Sequence, residues 1–279
     1  MNNPLRGNKL YQRRAREALP LLVRQAKAEQ PIYYSDLSDE LNMPNPRNLN
    51  YVLGFIGETL QKLSKKWNAD VPPIQSLVVN KATGIPGEGF WELAGLKSID
   101  KTSLKQKRLI VQQMLQNIYQ FDKWNKVLEE FHLKPVKSQW TKIMKESPPS
   151  GYGGGESEEH KKLKEYVAKH PQVLNLTRSI GKGQIEYGFP SADAVDVLFI
   201  HGLKWIGVEV KAKNSPDEDI ARGIYQCIKY CALIQAQQMV EQKSPNAEAV
   251  LVIEGKSPKN LIGLKNTLGI KVIDSVVVK

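Results

Sequence analysis

Three charged residues sit in stretches that otherwise read as buried strands. Asp196 lies in Val195-Asp196-Val197-Leu198-Phe199, and Glu209 and Lys211 lie in Trp205-Ile206-Gly207-Val208-Glu209-Val210-Lys211. Strand interiors are poor in Asp, Glu and Lys, so their presence calls for a reason. A two-residue loop at His201-Gly202 would pair residue 200 with 203 and residue 196 with 207. Side chains alternate across a strand, so Val195, Val197, Ile206, Val208 and Val210 then share one face. Asp196, Glu209 and Lys211 share the other, with the two carboxylates as diagonal neighbours. A three-residue loop would reverse this register. Two converging carboxylates repel unless a positive charge lies between them. Oxygen ligands suit a hard cation such as Mg²⁺, and Lys211 could orient a water beside it. That set can hydrolyse a phosphodiester with metal assistance. The competing reading is a surface salt bridge between Lys211 and a carboxylate, worth only ~0–1 kcal/mol.

These residues need a sheet with helices around it. The pattern gives a helix over 156–169, ended by His170-Pro171, and a short strand over 185–187. Strands follow over 195–200 and 204–212, then a long helix over 220–240. Val- and Ile-rich strands over 249–254 and 270–278 flank a helix over 261–268.

Asp196, twelve intervening residues and then Glu209-Val210-Lys211 resemble the motif of PD-(D/E)XK nucleases, which have a restriction-endonuclease-like fold. Val195 stands where that motif usually has Pro. Gln226-Cys227-Ile228-Lys229-Tyr230, coming after the E-x-K, looks like the Q-x-x-x-Y element of RecB-like nucleases. The resemblance covers about residues 156–279 and implies an α/β domain, a mixed central sheet flanked by helices. It implies Asp196 and Glu209 as metal ligands with the Val210 carbonyl as a third, and Lys211 as the catalytic lysine. Mg²⁺ is the implied cofactor, with Mn²⁺ able to substitute. Gln226 and Tyr230 would support the site or touch the strand. The first helix should supply a further carboxylate. Glu159 aligns with Leu163 and Val167 and is the first choice, ahead of Glu156 and Glu158. Arg222 would touch phosphate or pair with Asp219 or Glu218, and Asp193 would stand behind the ligands. Cys227, Cys231 and the scattered histidines lack zinc spacing, and His160 reads as a helix-surface residue.

The rest of the chain reads as a basic partner for this domain. The formal net charge is +11. Residues 1–155 carry 23 Lys and Arg against 14 Asp and Glu, whereas residues 156–279 carry 17 against 15. Such asymmetry suits a polyanion-binding module joined to something nearly neutral. Residues 1–98 read as one basic domain, and about residues 8–95 of it resemble a winged helix-turn-helix domain in their element order. A helix over 10–28 should kink or split at Pro20. Ile32-Tyr33-Tyr34 follows, then a short helix over 36–41 capped by Ser35 and a helix over 47–67. Strands over 74–80 and 90–93 would form the wing. The resemblance implies Arg47, Asn48 and Asn50 as base or backbone contacts and Lys81 as a phosphate contact. The alternative is a helical protein-interaction domain with a solvated basic face. Residues 99–146 read as a helical connector with Trp124 and Trp140 in its core, and residues 147–155 as a Pro/Gly linker.

The whole reads as a Mg²⁺-dependent DNA endonuclease of restriction, defence or repair. A non-catalytic DNA-binding protein and an RNA-directed nuclease are the alternatives. No apolar run reaches the ~18–20 residues of a membrane span, and no secretory leader is visible. Two cysteines exclude a disulfide scaffold and fit a reducing cytoplasm. One site per chain and two strands to cut suggest a homodimer.

Overall fold

The computed structural model describes residue 5 and residues 7–93, 102–136 and 157–278. The chain divides into two compact units, 1–138 and 139–279. The linker at 147–155, Trp140 and Glu156 lie outside the described residues.

Unit 1 is mainly helical. Helices α1 (Leu10–Lys27), α2 (Tyr34–Glu40) and α3 (Leu49–Trp67) surround a core that includes Leu19, Leu22, Ile56 and Leu60. α1 runs through Pro20 without splitting, with Pro20 itself buried. Apolar burial on both sides of the proline offsets the one backbone hydrogen bond it forfeits. α2 begins at Tyr34 with Tyr33 at its N-cap, so Ser35 is inside the helix and not its cap.

The wing is not formed. β1 (Ile32–Tyr33) pairs in parallel with β2 (Val78–Val79), and residues 90–93 belong to a helix, α4 (Glu88–Leu93). The reason is that Phe90 and Trp91 are both buried, with their rings edge to face at 5.3 Å. Adjacent residues on a strand point to opposite faces, and only a helix turns both into one small cluster with Ile85 and Val111. Between β2 and α4 the chain turns tightly: the Gly84 N–H donates to the Asn80 carbonyl at 2.8 Å. Helices α5 (Leu104–Gln120) and α6 (Trp124–Glu130) also belong to unit 1. Ile118, Trp124, Val127 and Leu128 enter its core, so the stretch read as a connector is, where described, part of that core.

Unit 2 is mixed α/β, with five strands in the order β3-β4-β5-β6-β7. These are β3 (Gln184–Gly188), β4 (Ala194–His201), β5 (Lys204–Lys211), β6 (Ala247–Ile253) and β7 (Lys271–Ile273). The first three are antiparallel neighbours, while β5–β6 and β6–β7 are parallel. Helix α7 (Glu158–Lys169) packs Leu163 and Val167 against Val197, Phe199, Ile206, Val208 and Val210 on one face. Helix α8 (Asp217–Val240) packs Ile224, Cys227 and Ile234 against Leu198, Trp205 and Leu251 on the other. The short α9 (Ile262–Thr267) joins β6 to β7. Among the described residues no helix is long and apolar enough to cross a membrane.

Candidate active site

The β4–β5 hairpin turns at Gly202-Leu203, one residue later than the sequence suggests. His201 pairs with Lys204, and Val197 with Val208. Gly202 takes φ +59°, the left-handed conformation a two-residue hairpin demands. The register therefore moves by two residues, which keeps the faces of β5 and of residues 197–200 of β4.

One face assignment changes. Val195 packs among the residues under α8 and Val197 among those under α7. The alternation breaks at Asp196, which explains its dual reach. Its Oδ2 accepts the Val210 N–H at 2.8 Å, replacing a ladder bond, and its Oδ1 lies 3.5 Å from the His160 Nε2 on α7. Burial alone would raise the Asp196 carboxyl. The His160 bond, the Val210 N–H and the charges of His160 and Lys164 overcome it and hold the group low.

Glu209 is the opposite case. It is 3% exposed, and burial together with the charge of Asp196 pushes it up to about 7, against the pull of Lys211 and Tyr230. Its Oε1 receives the Lys211 ammonium at 3.0 Å, while its Oε2 is buried without a hydrogen-bond partner. Lys211 is 7% exposed and also meets the Asp219 Oδ1 at 3.2 Å. Burial opposes its charge, but Glu209 and Asp219 outweigh that and raise it, so it stays an ammonium. A surface salt bridge would leave both partners in water, and this pair is enclosed. Buried ion pairs rarely repay their desolvation in stability, so their presence calls for another role.

Helix α8 closes the site from above. The Gln226 amide donates to the Tyr230 hydroxyl at 3.4 Å, and that hydroxyl faces Glu209. A Cβ on Gly223 would come within 3.0 Å of the Lys211 Cε and 3.5 Å of the Glu209 Cγ. The helix thus rides on the stems of both residues, and the glycine permits it.

Of the residues read from sequence, Asp196, Glu209, Lys211, Gln226 and Tyr230 come together. Glu159 does not point inward: it is exposed. The Ser157 hydroxyl caps α7 by accepting the His160 N–H at 3.2 Å, which fixes the helix phase. His160, Leu163, Lys164 and Val167 then form the inward stripe, at the i, i+3, i+4, i+7 spacing of one helical face. His160 is accordingly a site residue and not a helix-surface histidine. Lys164, nearly buried and paired with Glu186 at 2.7 Å, is a second residue the sequence reading missed. The signal for both was that same spacing. Arg222 is half-buried one turn before Gln226. Asp193 is taken up by Lys229 at 2.6 Å. In unit 1, Arg47, Asn48, Asn50 and Lys81 are all exposed. Among the described residues no group of three or more His, Cys, Asp or Glu side chains is arranged to hold a metal ion. Comparison of the chain with protein-family models, curated proteins and solved structures finds no match.

Proposed function

We propose that the chain is a metal-dependent nuclease of the PD-(D/E)XK kind that hydrolyses DNA, with unit 2 cutting and unit 1 holding the strand. The observation that carries this reading is the buried Glu209 oxygen left without a partner, next to a second carboxylate and a buried lysine. An unpaired buried carboxylate oxygen is costly, and a bound cation removes that cost. Asp196 and Glu209 would hold a hard divalent cation such as Mg²⁺, with Mn²⁺ as substitute. Backbone carbonyl, water and substrate phosphate oxygens would complete the coordination that two carboxylates leave open. When bound, the cation supplies Lewis-acid polarisation of the phosphate and a more acidic water.

The protein's own groups do the rest. Lys211, fixed between Glu209 and Asp219, presents an ammonium to the attacking water and to negative charge growing on the phosphate. The Tyr230 hydroxyl, which accepts from Gln226, faces the Glu209 carboxyl and favours its charged form. His160 and the Val210 N–H keep Asp196 ionised. Arg47 and Lys81 in unit 1 lie exposed for phosphate contacts.

The test is cleavage of duplex DNA, single-stranded DNA and RNA, each with Mg²⁺ and with EDTA. Mg²⁺-dependent hydrolysis of DNA by the wild type but not by Glu209→Ala supports the reading. Cutting confined to RNA reassigns the substrate. DNA binding with no cleavage under any metal would leave a non-catalytic DNA-binding protein.

A further inference from the structure

Unit 1 contains a cavity of about 410 Å³ lined by residues that include Tyr34, Asn50, Gln75, Glu88 and Phe90. It lies in the range of small-molecule sites, ~300–1,000 Å³. Its chemistry is specific. Among the described residues no lysine or arginine lines it, and Glu88 does, so this lining disfavours phosphate and other anions. Tyr34 and Phe90 contribute aromatic rings. The Tyr34 hydroxyl accepts the Gly87 N–H at 3.1 Å, and burial raises its pKa, so its own proton remains available to donate. Asn50 is exposed and carries both donors and an acceptor.

Gln75 is the decisive residue. It is 5% exposed, and its Oε1 is buried without a hydrogen-bond partner. Leaving such an acceptor unmade is costly, so the site favours a ligand that brings an N–H. The last torsion of a glutamine is soft, which lets its carboxamide turn toward such a donor. Two carboxamides, a phenol and two rings around a space that disfavours anions suit a neutral, planar, hydrogen-bonding heterocycle.

We propose that this cavity takes a nucleobase. The ligand can come from a base extruded from a strand or from a free nucleoside, because the recognised chemistry is the same. Basic residues close to lining residues in the chain favour the strand. Arg47 and Asn48 immediately precede the helix that carries Asn50. Lys81 stands 5.9 Å from the centre of the Tyr33 ring, next in sequence to Tyr34. Basic residues that flank lining residues in the chain, with none among the described lining residues, suit phosphates held outside while the base enters. The proposal rests on the DNA-binding half of the function above and is independent of cleavage.

The experiment uses the full chain in EDTA, where cutting is silent. One arm titrates it onto duplexes with 2-aminopurine at each position in turn. The other titrates the four common nucleosides by calorimetry. The expected result is a several-fold change in 2-aminopurine emission at one position. Gln75→Leu should lose that change while binding the duplex within about threefold of wild type, and Asn50→Ala should lose it whatever its effect on duplex affinity. Asn50 is exposed, so its variant keeps the test free of folding effects. Nucleoside binding that falls at least tenfold in both variants, without an emission change, keeps the proposal and makes the free nucleoside the ligand. An emission change that both variants retain overturns it. A chain that binds duplex with no emission change and takes no nucleoside overturns it too, while leaving DNA binding intact. A chain that takes nucleosides but no duplex overturns DNA binding and keeps the cavity's role.

Discussion

Each unit buries an oxygen with no partner, and the two differ in what they ask for. The Glu209 Oε2 in unit 2 belongs to a carboxyl that Asp196 and burial press toward neutrality; the Gln75 Oε1 in unit 1 belongs to an amide that carries no charge. A carboxylate left in that position calls for a cation. An amide left in that position calls for an N–H. Similar departures from full hydrogen bonding therefore point to different ligands, and charge alone separates them.

That contrast can be broken most sharply at the carboxylates. Asp196→Ala and Glu209→Ala should each abolish Mg²⁺-dependent cleavage while circular dichroism shows the fold retained. Full activity in either variant removes the assignment of the site. Lys211→Ala should lower the single-turnover rate by about 10²–10³, the scale seen when one preorganised electrostatic group is lost. Its DNA binding in Ca²⁺ should persist, and Lys211→Arg should not restore the rate, since a planar guanidinium does not replace a compact ammonium. Tyr230→Phe should cost about tenfold in rate and ~1 kcal/mol in urea denaturation, because the Gln226 amide loses its acceptor.

Gln75→Leu moves the other way. It should raise the stability of the unliganded protein by ~1–2 kcal/mol, read as a higher Tm, because a buried unpaired acceptor disappears. A lower Tm would mean that the amide is a structural prop. The smallest effect is expected at His160. Asp196 has a folded pKa below its ordinary 3.8, so it contributes stability that is present above that pH and lost as pH falls through the folded value. His160→Ala removes part of the cause, so in EDTA the variant should lose less stability than wild type on acidification below about pH 4. An unchanged acid limb would mean that the Val210 N–H and the charge of Lys164 hold the carboxylate without His160.

Unit 2 was largely legible because its strands are long and apolar and its charged residues violate their surroundings. The E-x-K on β5 and the Gln226–Tyr230 pair on α8 follow directly from periods of two and of 3.6. The hairpin register escaped by two residues, since His201-Gly202 and Gly202-Leu203 are both acceptable turns and only packing chooses between them. Glu159 was misplaced because an acidic residue aligned with Leu163 and Val167 looks inward until the Ser157 cap sets the phase. Val195 could not have been placed from alternation, which fails at Asp196 beside it. Unit 1 was less legible. Its strands are two residues long, below the length at which periodicity means anything, and Phe90-Trp91 reads equally as strand or helix until both rings are seen to be buried. The Gln75 cavity carried no sequence signal, because a lone glutamine among apolar residues has no pattern.

The position of β5 has a consequence for motion. It is hydrogen-bonded to β4 on one side and β6 on the other, and Trp205 through Lys211 are buried along its whole length. Amide hydrogens of such a strand exchange with solvent only in the rarest, most complete openings. The amides of Val208 and Val210 should be among the last in the chain to take up deuterium. Glu209 and Lys211 ride on that backbone, so their spacing survives every local fluctuation. The turn and short helix that carry Gly87 to Phe90 have no such ladder and should exchange earlier, leaving the cavity of unit 1 able to open for an arriving base while the carboxylates of unit 2 hold still.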